Sequence, residues 1–206
     1  MENPQQPTLT ETEQKIFDAA HEVFVQRGLD GAKMQEIADR AGINKALLHY
    51  YFRSKEKLFE TIARAILNRN VPVIRGIIES DLVLETKIER LIAQYIAVVS
   101  RNSYLPIFLI SEMNKHPDRF FGSIFPQELP RPEVFVRQVN EAVAEGRIRA
   151  VDPRHLIVNV MSMCLMPFVA KPMLRVLLGM APEEWDKFIQ QRTREVTEFV
   201  FASLRP

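Results

Sequence analysis

Residues 33–52 contain two short helical patterns joined by a glycine. Ile37, Ala38 and Ala41 fall at positions i, i+1 and i+4, so they form a narrow apolar face on the first helix. Gly42 is predicted to end that helix, because glycine adopts a positive φ without steric cost. Asn44 is then a favourable N-cap for a second helix that begins at Lys45. Two helices joined by so short a turn predict a helix-turn-helix.

The second of these helices has two distinguishable sides. Leu47 and Leu48 are expected to face inward, against the first helix. The positions expected to face outward are Lys45, Ala46, His49 and Tyr50. Because this helix of a helix-turn-helix enters the DNA major groove, we predict that these four side chains contact bases, with Asn44 beside them at the helix start.

The charge of the chain is unevenly distributed. The net charge is only +1 over 206 residues. Residues 1–39 hold three Lys/Arg against eight Asp/Glu, whereas residues 40–57 hold five against one. A cluster of like charges is often no more than a solvated face, but on a helix-turn-helix it favours contact with phosphates.

The stretch from Lys15 to Leu58 resembles the DNA-binding domain of the TetR family of bacterial transcriptional regulators. The likeness rests on Ile16, Ala19-Ala20, Phe24, Gly28, Ile37-Ala38, Ala41-Gly42, Tyr51-Phe52 and Lys55-Glu56-Lys57-Leu58. It implies a homodimer that binds double-stranded DNA. Lys33 and Gln35 would lie at the start of the first helix of the motif. Tyr51, Lys55 and the N-terminus of the following helix would hold phosphates.

Three positions depart from the family's pattern. Ala32 stands where the family has an N-capping Thr or Ser, so Asp30 is expected to cap instead. Ala46 replaces a glycine of the recognition helix, and His49 replaces a tyrosine that contacts phosphate. These departures bear on base specificity and not on the fold.

Composition excludes several other classes of protein. The single cysteine, Cys164, allows no internal disulfide, and the polar N-terminal segment has no signal-peptide pattern. The apolar stretch 156–170 is interrupted by polar residues and proline, so we expect a cytoplasmic protein without a membrane span. The four scattered histidines predict no metal site, and no nucleophile–base pattern or phosphate loop predicts an enzyme or a cofactor.

Helix signals dominate the remainder of the chain. We predict an all-α fold of about nine helices, with a three-helix DNA-binding domain at 1–54 and a larger ligand-binding and dimerisation domain at 55–206. Capping patterns place helix starts after Thr10, Ser54, Asp152 and Ala181. Pro72 is expected to kink or split the helix that begins after Ser54. Residues 117–132 contain five prolines or glycines, so they are predicted to form a loop, packed down by its phenylalanines.

The two C-terminal helices are unusually apolar. Such helices build either the core of the domain or, in part, a two-fold interface with a second copy. Five methionines lie between 161 and 180, and methionine suits both a ligand cavity and ordinary core packing. The residues predicted to contact an effector are Tyr95, Phe108, Glu112, Asn159, Met163 and Met166.

These features predict a dimeric regulator, in particular a repressor that binds a palindromic operator and is released by a small apolar ligand. A second interpretation keeps DNA binding but replaces the ligand with a protein partner or with nothing. A third makes the chain an all-helical carrier or interaction module with a vestigial DNA-binding domain.

Overall fold

The computed structural model describes residues 10–125 and 128–206. Within those ranges the regular structure is entirely helical, with eleven α-helices and one π-helical turn. The predicted all-α fold is therefore confirmed, and the helices in excess of the nine expected are short. The chain divides into two compact units, one extending to Ile66 and the other running from Leu67 to Pro206.

The N-terminal unit contains three helices and the beginning of a fourth: α1 (Glu11–Gly31), α2 (Met34–Ala41), α3 (Lys45–Tyr51) and α4 (Lys55–Glu79). The predicted capping box opens α1, where the Thr10 hydroxyl accepts from the Glu13 N–H and the Glu13 carboxylate accepts from the Thr10 N–H. Gly28 interrupts α1 with a φ of 67°. The fully buried core side chains of this unit include Ile16, Val23, Phe24, Ile37, Leu48 and Leu58.

Two expectations for this unit are wrong. Leu47 is 36% exposed and does not pack inward, because Leu48 alone occupies the contact with the core. Asp30 does not cap α2, since it lies within α1. The N-cap position of α2 is Lys33, which makes no side-chain capping bond.

Helix α4 is continuous from Lys55 to Glu79 and includes Pro72. Ser54 caps it, with its hydroxyl accepting from the Lys57 N–H at 3.2 Å. Pro72 therefore does not split the helix. It has no N–H, so it leaves the carbonyl of Asn68, four residues earlier, without its usual helical donor.

The C-terminal unit adds seven helices to the end of α4: α5 (Leu84–Arg101), α6 (Leu105–Lys115), α7 (Pro117–Arg119), α8 (Glu133–Ala144), α9 (Pro153–Val169), α10 (Lys171–Leu177) and α11 (Pro182–Leu204). Helices α5, α9 and α11 pack against one another at its centre. Their buried side chains include Ile88, Ile92, Val160, Cys164, Val196 and Val200. Asp152 caps α9 as predicted.

The predicted loop at 117–132 is wrong in its first half. Pro117–Arg119 forms a helical turn and Phe120–Ile124 a π-helical turn. Proline is tolerated in the first turn of a helix, so Pro117 can start this one. Phe120 and Ile124 are buried, and this anchors the segment as expected, whereas Phe121 is 52% exposed.

Helix α10 was not predicted. It follows α9 at an angle of 81°. No single helix of the described ranges has the length and apolar character of a membrane span, although α9 and α10 taken together meet that test by length and composition.

Candidate nucleic-acid interface and effector cavity

The turn between α2 and α3 has the backbone geometry that its sequence predicts. Gly42 adopts a φ of 68°, and the Ile43 N–H donates to the carbonyl of Ala38 at 3.0 Å. The Asn44 side-chain oxygen accepts from the Leu47 N–H at 2.7 Å and so caps α3. These contacts fix the start of α3 relative to α2, while Leu48 anchors the helix in the core.

The outer side of α3 is open to solvent. The four predicted residues on it, Lys45, Ala46, His49 and Tyr50, are all exposed, and Tyr50 is 80% exposed. The Tyr50 ring meets the Tyr51 ring edge-on at 5.6 Å. The His49 Nδ1 lies 3.4 Å from the carbonyl oxygen of Arg53, a contact that orients the imidazole at the end of the helix. We call these four exposed side chains the recognition face.

The residues predicted to contact DNA on either side of α3 differ in exposure and in their hydrogen bonds within the protein. Lys33 is exposed, and Gln35 donates to the Asp39 carboxylate at 2.7 Å. Tyr51 is half-buried. The Lys55 ammonium donates to the carbonyl of Asp30 at 3.2 Å, so Lys55 joins the start of α4 to the end of α1.

Pairing reduces the positive charge counted from the sequence. Arg40 lies 3.3 Å from the Glu22 carboxylate and 3.7 Å from that of Glu36. Lys57 lies 3.3 Å from Glu60. Of the cations between residues 33 and 57, those whose side chains bond to no other group of the described chain are Lys33, Lys45 and Arg53. Lys55 also keeps its charge, because its partner is a neutral carbonyl. The cations without an acidic partner therefore lie at the two ends of α3 and at the starts of α2 and α4.

Comparison with known proteins identifies this domain. Residues 16–62 match the family model described as bacterial regulatory proteins, tetR family. Residues 16–62 are therefore an N-terminal domain of the TetR family. The matched residues include all of α2 and α3, so the recognition face lies inside the matched segment.

Two curated relatives extend the comparison. The uncharacterized HTH-type transcriptional regulator YvdT of Bacillus subtilis is 30% identical over 98 residues, which cover 48% of this chain and 50% of YvdT. The match therefore spans about half the length of that relative. The HTH-type transcriptional regulator RutR of Escherichia coli is 24% identical over 203 residues, 93% of this chain and 89% of RutR.

A solved structure shows the same fold over almost the whole of this chain. The transcriptional regulator FadR of Bacillus subtilis, in complex with stearoyl-CoA, superposes with a TM-score of 0.59 at 16% identity. The superposition covers 93% of this chain and 99% of that one. At this identity it establishes the fold alone.

The C-terminal unit encloses a cavity of about 370 Å³. Helices α4, α5, α8 and α9 contribute the apolar residues Val71, Ile74, Ile78, Ile88, Leu91, Phe135, Ile157, Val160 and Met161. One wall comes from the proline-rich segment before α8, through Phe125, Leu129, Pro130 and Pro132. Tyr95 of α5 supplies the polar group of the lining. The volume lies in the range of small-molecule sites.

The structure does not bring the six predicted effector contacts together. Tyr95 lines the cavity, and Met163 packs against the adjacent core. Phe108 is buried on α6, outside the cavity lining. Glu112 lies 3.9 Å from Arg119, whereas Asn159 and Met166 are exposed on the outer side of α9. Their helical positions turn these side chains away from the side of α9 that lines the cavity with Ile157, Val160 and Met161.

Apart from Tyr95, the residues that line the cavity were not predicted from the sequence. The proline-rich wall was partly predictable from the sequence. Its prolines predicted a loop, and its phenylalanines, Phe125 among them, predicted that the loop packs against the rest of the chain. That wall is tied to α4 by an ion pair between Arg75 and Glu128, and by the Arg131 N–H, which donates to the Glu79 carboxylate at 3.0 Å.

No cluster of His, Cys, Asp or Glu that could hold a metal ion occurs in residues 10–125 and 128–206.

Proposed function

We propose that this TetR-family protein is a cytoplasmic transcriptional repressor that binds a palindromic operator as a homodimer and is released by a small apolar effector. The observation that supports it most directly is the recognition face of α3: four exposed side chains on a short helix that Asn44 and Leu48 hold in place. According to this proposal, the protein functions by binding DNA and an effector and not by catalysis.

The recognition face suggests a division of roles among its side chains. Lys45 is a cation without an ion-pair partner in the described chain, and His49 and Tyr50 can both donate and accept hydrogen bonds. Ala46 offers only a methyl group, which suits apolar contact with a thymine methyl. Lys33, Gln35, Asn44, Tyr51 and Lys55 would then position the domain through phosphates, which carry no base sequence.

A homodimer is proposed because the C-terminal unit leaves apolar side chains exposed on two of its central helices. Val158 of α9 is 58% exposed and Phe199 of α11 is 64% exposed, although both helices bury their opposite sides in the core. A helix that is apolar on opposite sides needs cover on both. A two-fold axis would place the same surface of each copy against the other.

Effector control is proposed from the cavity and from α4. The solved FadR structure holds stearoyl-CoA. In the present chain, α4 begins at the cap of Ser54 and its later residues Ile74 and Ile78 line the cavity. The helix rises about 1.5 Å per residue, so a small tilt moves its far end by an ångström or more. An effector would have to bind the DNA-released conformation more tightly than the DNA-bound one to shift their populations.

The test of DNA binding is selection of genomic fragments by the purified protein, followed by gel retardation of the selected palindrome. We expect Lys45→Ala with Tyr50→Ala to lower operator affinity by at least about 30-fold, since each base contact is worth ~1–3 kcal/mol. Lys187→Ala, an exposed lysine of α11, is the matched control and should leave the affinity unchanged.

Circular dichroism of the double variant must match that of the wild type, because both side chains are exposed. Retention of full, sequence-specific operator affinity by the double variant would refute the assignment of α3 as the recognition helix. Failure of the wild type to select any sequence would favour a carrier or interaction module.

A further inference from the structure

The cavity of the C-terminal unit has one feature that apolar packing does not explain. Tyr95 places a phenol in a lining that is otherwise built from aliphatic, aromatic and proline side chains. Its hydroxyl makes no hydrogen bond within the described ranges, although Cys164 lies close enough to interact with it electrostatically. The Tyr95 side chain is half-buried and lines the cavity, so its hydroxyl is free to donate to or accept from a ligand atom that enters there.

The lining also lacks any group that could compensate a charged ligand. No Lys, Arg, Asp or Glu of the described chain is part of it. Arg75 follows the lining residue Ile74 in the sequence, but it is already paired with Glu128 of the proline-rich wall. Burial of an unpaired carboxylate or phosphate in such surroundings is strongly unfavourable.

The phenol itself remains neutral. Burial raises the pKa of Tyr95 above its ordinary value of 10.0, and the interaction with Cys164 acts in the same direction. Tyr95 therefore keeps its proton at physiological pH and can both donate and accept a hydrogen bond.

We infer that the effector is an uncharged molecule with an apolar body and a single alcohol or carbonyl oxygen, which hydrogen-bonds to the Tyr95 hydroxyl. This inference rests on the effector control proposed above and specifies its chemical class. Water occupies ~30 Å³ per molecule in the liquid, so the cavity of about 370 Å³ accommodates a body of roughly ten to twelve carbon-sized groups. Anionic amphiphiles such as fatty-acid carboxylates are excluded as tight ligands.

The test compares two probes of equal length, 1-decanol and decanoate, by calorimetric titration and thermal denaturation of the full chain at pH 7.5. We expect decanol to bind and to raise the melting temperature, and decanoate to bind at least about 100-fold more weakly. Tyr95→Phe should weaken decanol binding by about 2- to 12-fold, which is the worth of one neutral hydrogen bond. Tyr104→Phe, which removes a buried hydroxyl outside the cavity, is the matched control and should bind decanol as the wild type does.

A cavity-filling variant, Ile157→Trp, separates two claims: that an effector controls the protein, and that this effector is uncharged. Decanoate binding equal to or tighter than decanol binding, abolished by Ile157→Trp, would overturn the neutral class while leaving effector control intact. Equal decanol affinity of Tyr95→Phe and the wild type would overturn the role of Tyr95. If neither probe binds the wild type and Ile157→Trp leaves operator affinity unchanged, effector control itself fails.

Discussion

At the scale of single residues, Asp152 shows how one side chain sets both a helix start and a pH response. Its carboxylate accepts from the Arg154 N–H at 2.8 Å and from the Arg154 guanidinium at 2.7 Å. These bonds lower the pKa of Asp152 from 3.8 to about 2, and the bond from the guanidinium has the largest effect. A carboxyl whose pKa is lower in the folded than in the unfolded chain stabilises the fold at any pH above its unfolded pKa. This contribution is lost as the pH falls through the folded pKa.

We therefore predict that Asp152→Asn, which can still cap α9 but cannot ionise, lowers the free energy of unfolding above pH 4. The difference from the wild type should shrink as the pH falls from 3.8 towards 2, the interval bounded by the two pKa values. Thermal unfolding followed by circular dichroism at a series of pH values measures it. Asp186→Asn, on an exposed acid of α11, is the control. A difference that stays constant down to pH 2 would contradict the assignment.

Lys55 is a second residue whose role, here a contact with a DNA phosphate, can be tested by a single substitution. Its ammonium lies at the start of α4, 3.2 Å from the carbonyl of Asp30, and the family resemblance places a phosphate there. We predict that Lys55→Ala weakens binding to operator and random DNA alike. The slope of log affinity against log salt should fall by about 0.9, as expected for one lost phosphate contact. Retardation at several salt concentrations tests this, with Lys187→Ala as the control, and an unchanged slope would remove Lys55 from the phosphate contacts.

At the scale of helices, Pro167 and Arg192 form a compensating pair within the C-terminal unit. Pro167 lies inside α9 and has no N–H, so the carbonyl of Met163 loses its helical donor. The Arg192 guanidinium of α11 donates to that carbonyl at 3.1 Å. An interhelical bond thus replaces the missing helical one.

We predict that Arg192→Leu lowers the free energy of unfolding by about 1–3 kcal/mol, the cost of an unpaired buried carbonyl. In a Pro167→Ala background, where residue 167 regains its N–H, the same substitution should cost less, with a coupling of about 0.5 kcal/mol or more. Urea unfolding of the four proteins in this double-mutant cycle measures the coupling. Strict additivity would show that the Arg192 bond does not compensate for Pro167.

How far the sequence predicts the helices depends on whether their ends have local causes. Gly42, Asn44 and Asp152 set their turns and caps through their own backbone and side-chain chemistry, and all three were predictable. Helix α10 was not, because its N-cap position is Ala170, which has no capping side chain.

The site shows the same distinction. The recognition face follows from helical periodicity after a known N-cap, and only Leu47 was misplaced, since two adjacent leucines compete for one buried position. The cavity lining could not be predicted, because residues such as Ile157 and Phe135 have the same apolar character as true core residues. Only tertiary packing decides which apolar side chains face a void.

At the scale of the whole molecule, the proposed recognition of an operator depends on assembly of two copies. One recognition helix covers only a few base pairs, and two helices bound to one side of a duplex need a separation of about 34–36 Å. Linking two weak contacts raises the overall affinity by ~10²–10⁴ without any new contact to DNA. In the proposed homodimer, the exposed apolar sides of α9 and α11 therefore contribute to operator binding as much as the recognition face does.

We predict that Val158→Glu combined with Phe199→Glu yields a folded monomer. Each substitution places a charge at a position that is exposed in the single chain, at 58% and 64%, but would be buried between two copies. Sedimentation velocity should show the wild type as a dimer and the variant as a monomer, with operator affinity reduced at least about 100-fold. Val73→Glu, at a 46% exposed valine of α4, is the control and should remain dimeric. Because both substituted side chains are mostly exposed in the single chain, unchanged helicity would separate loss of assembly from unfolding. A variant that still sediments as a dimer would place the interface elsewhere.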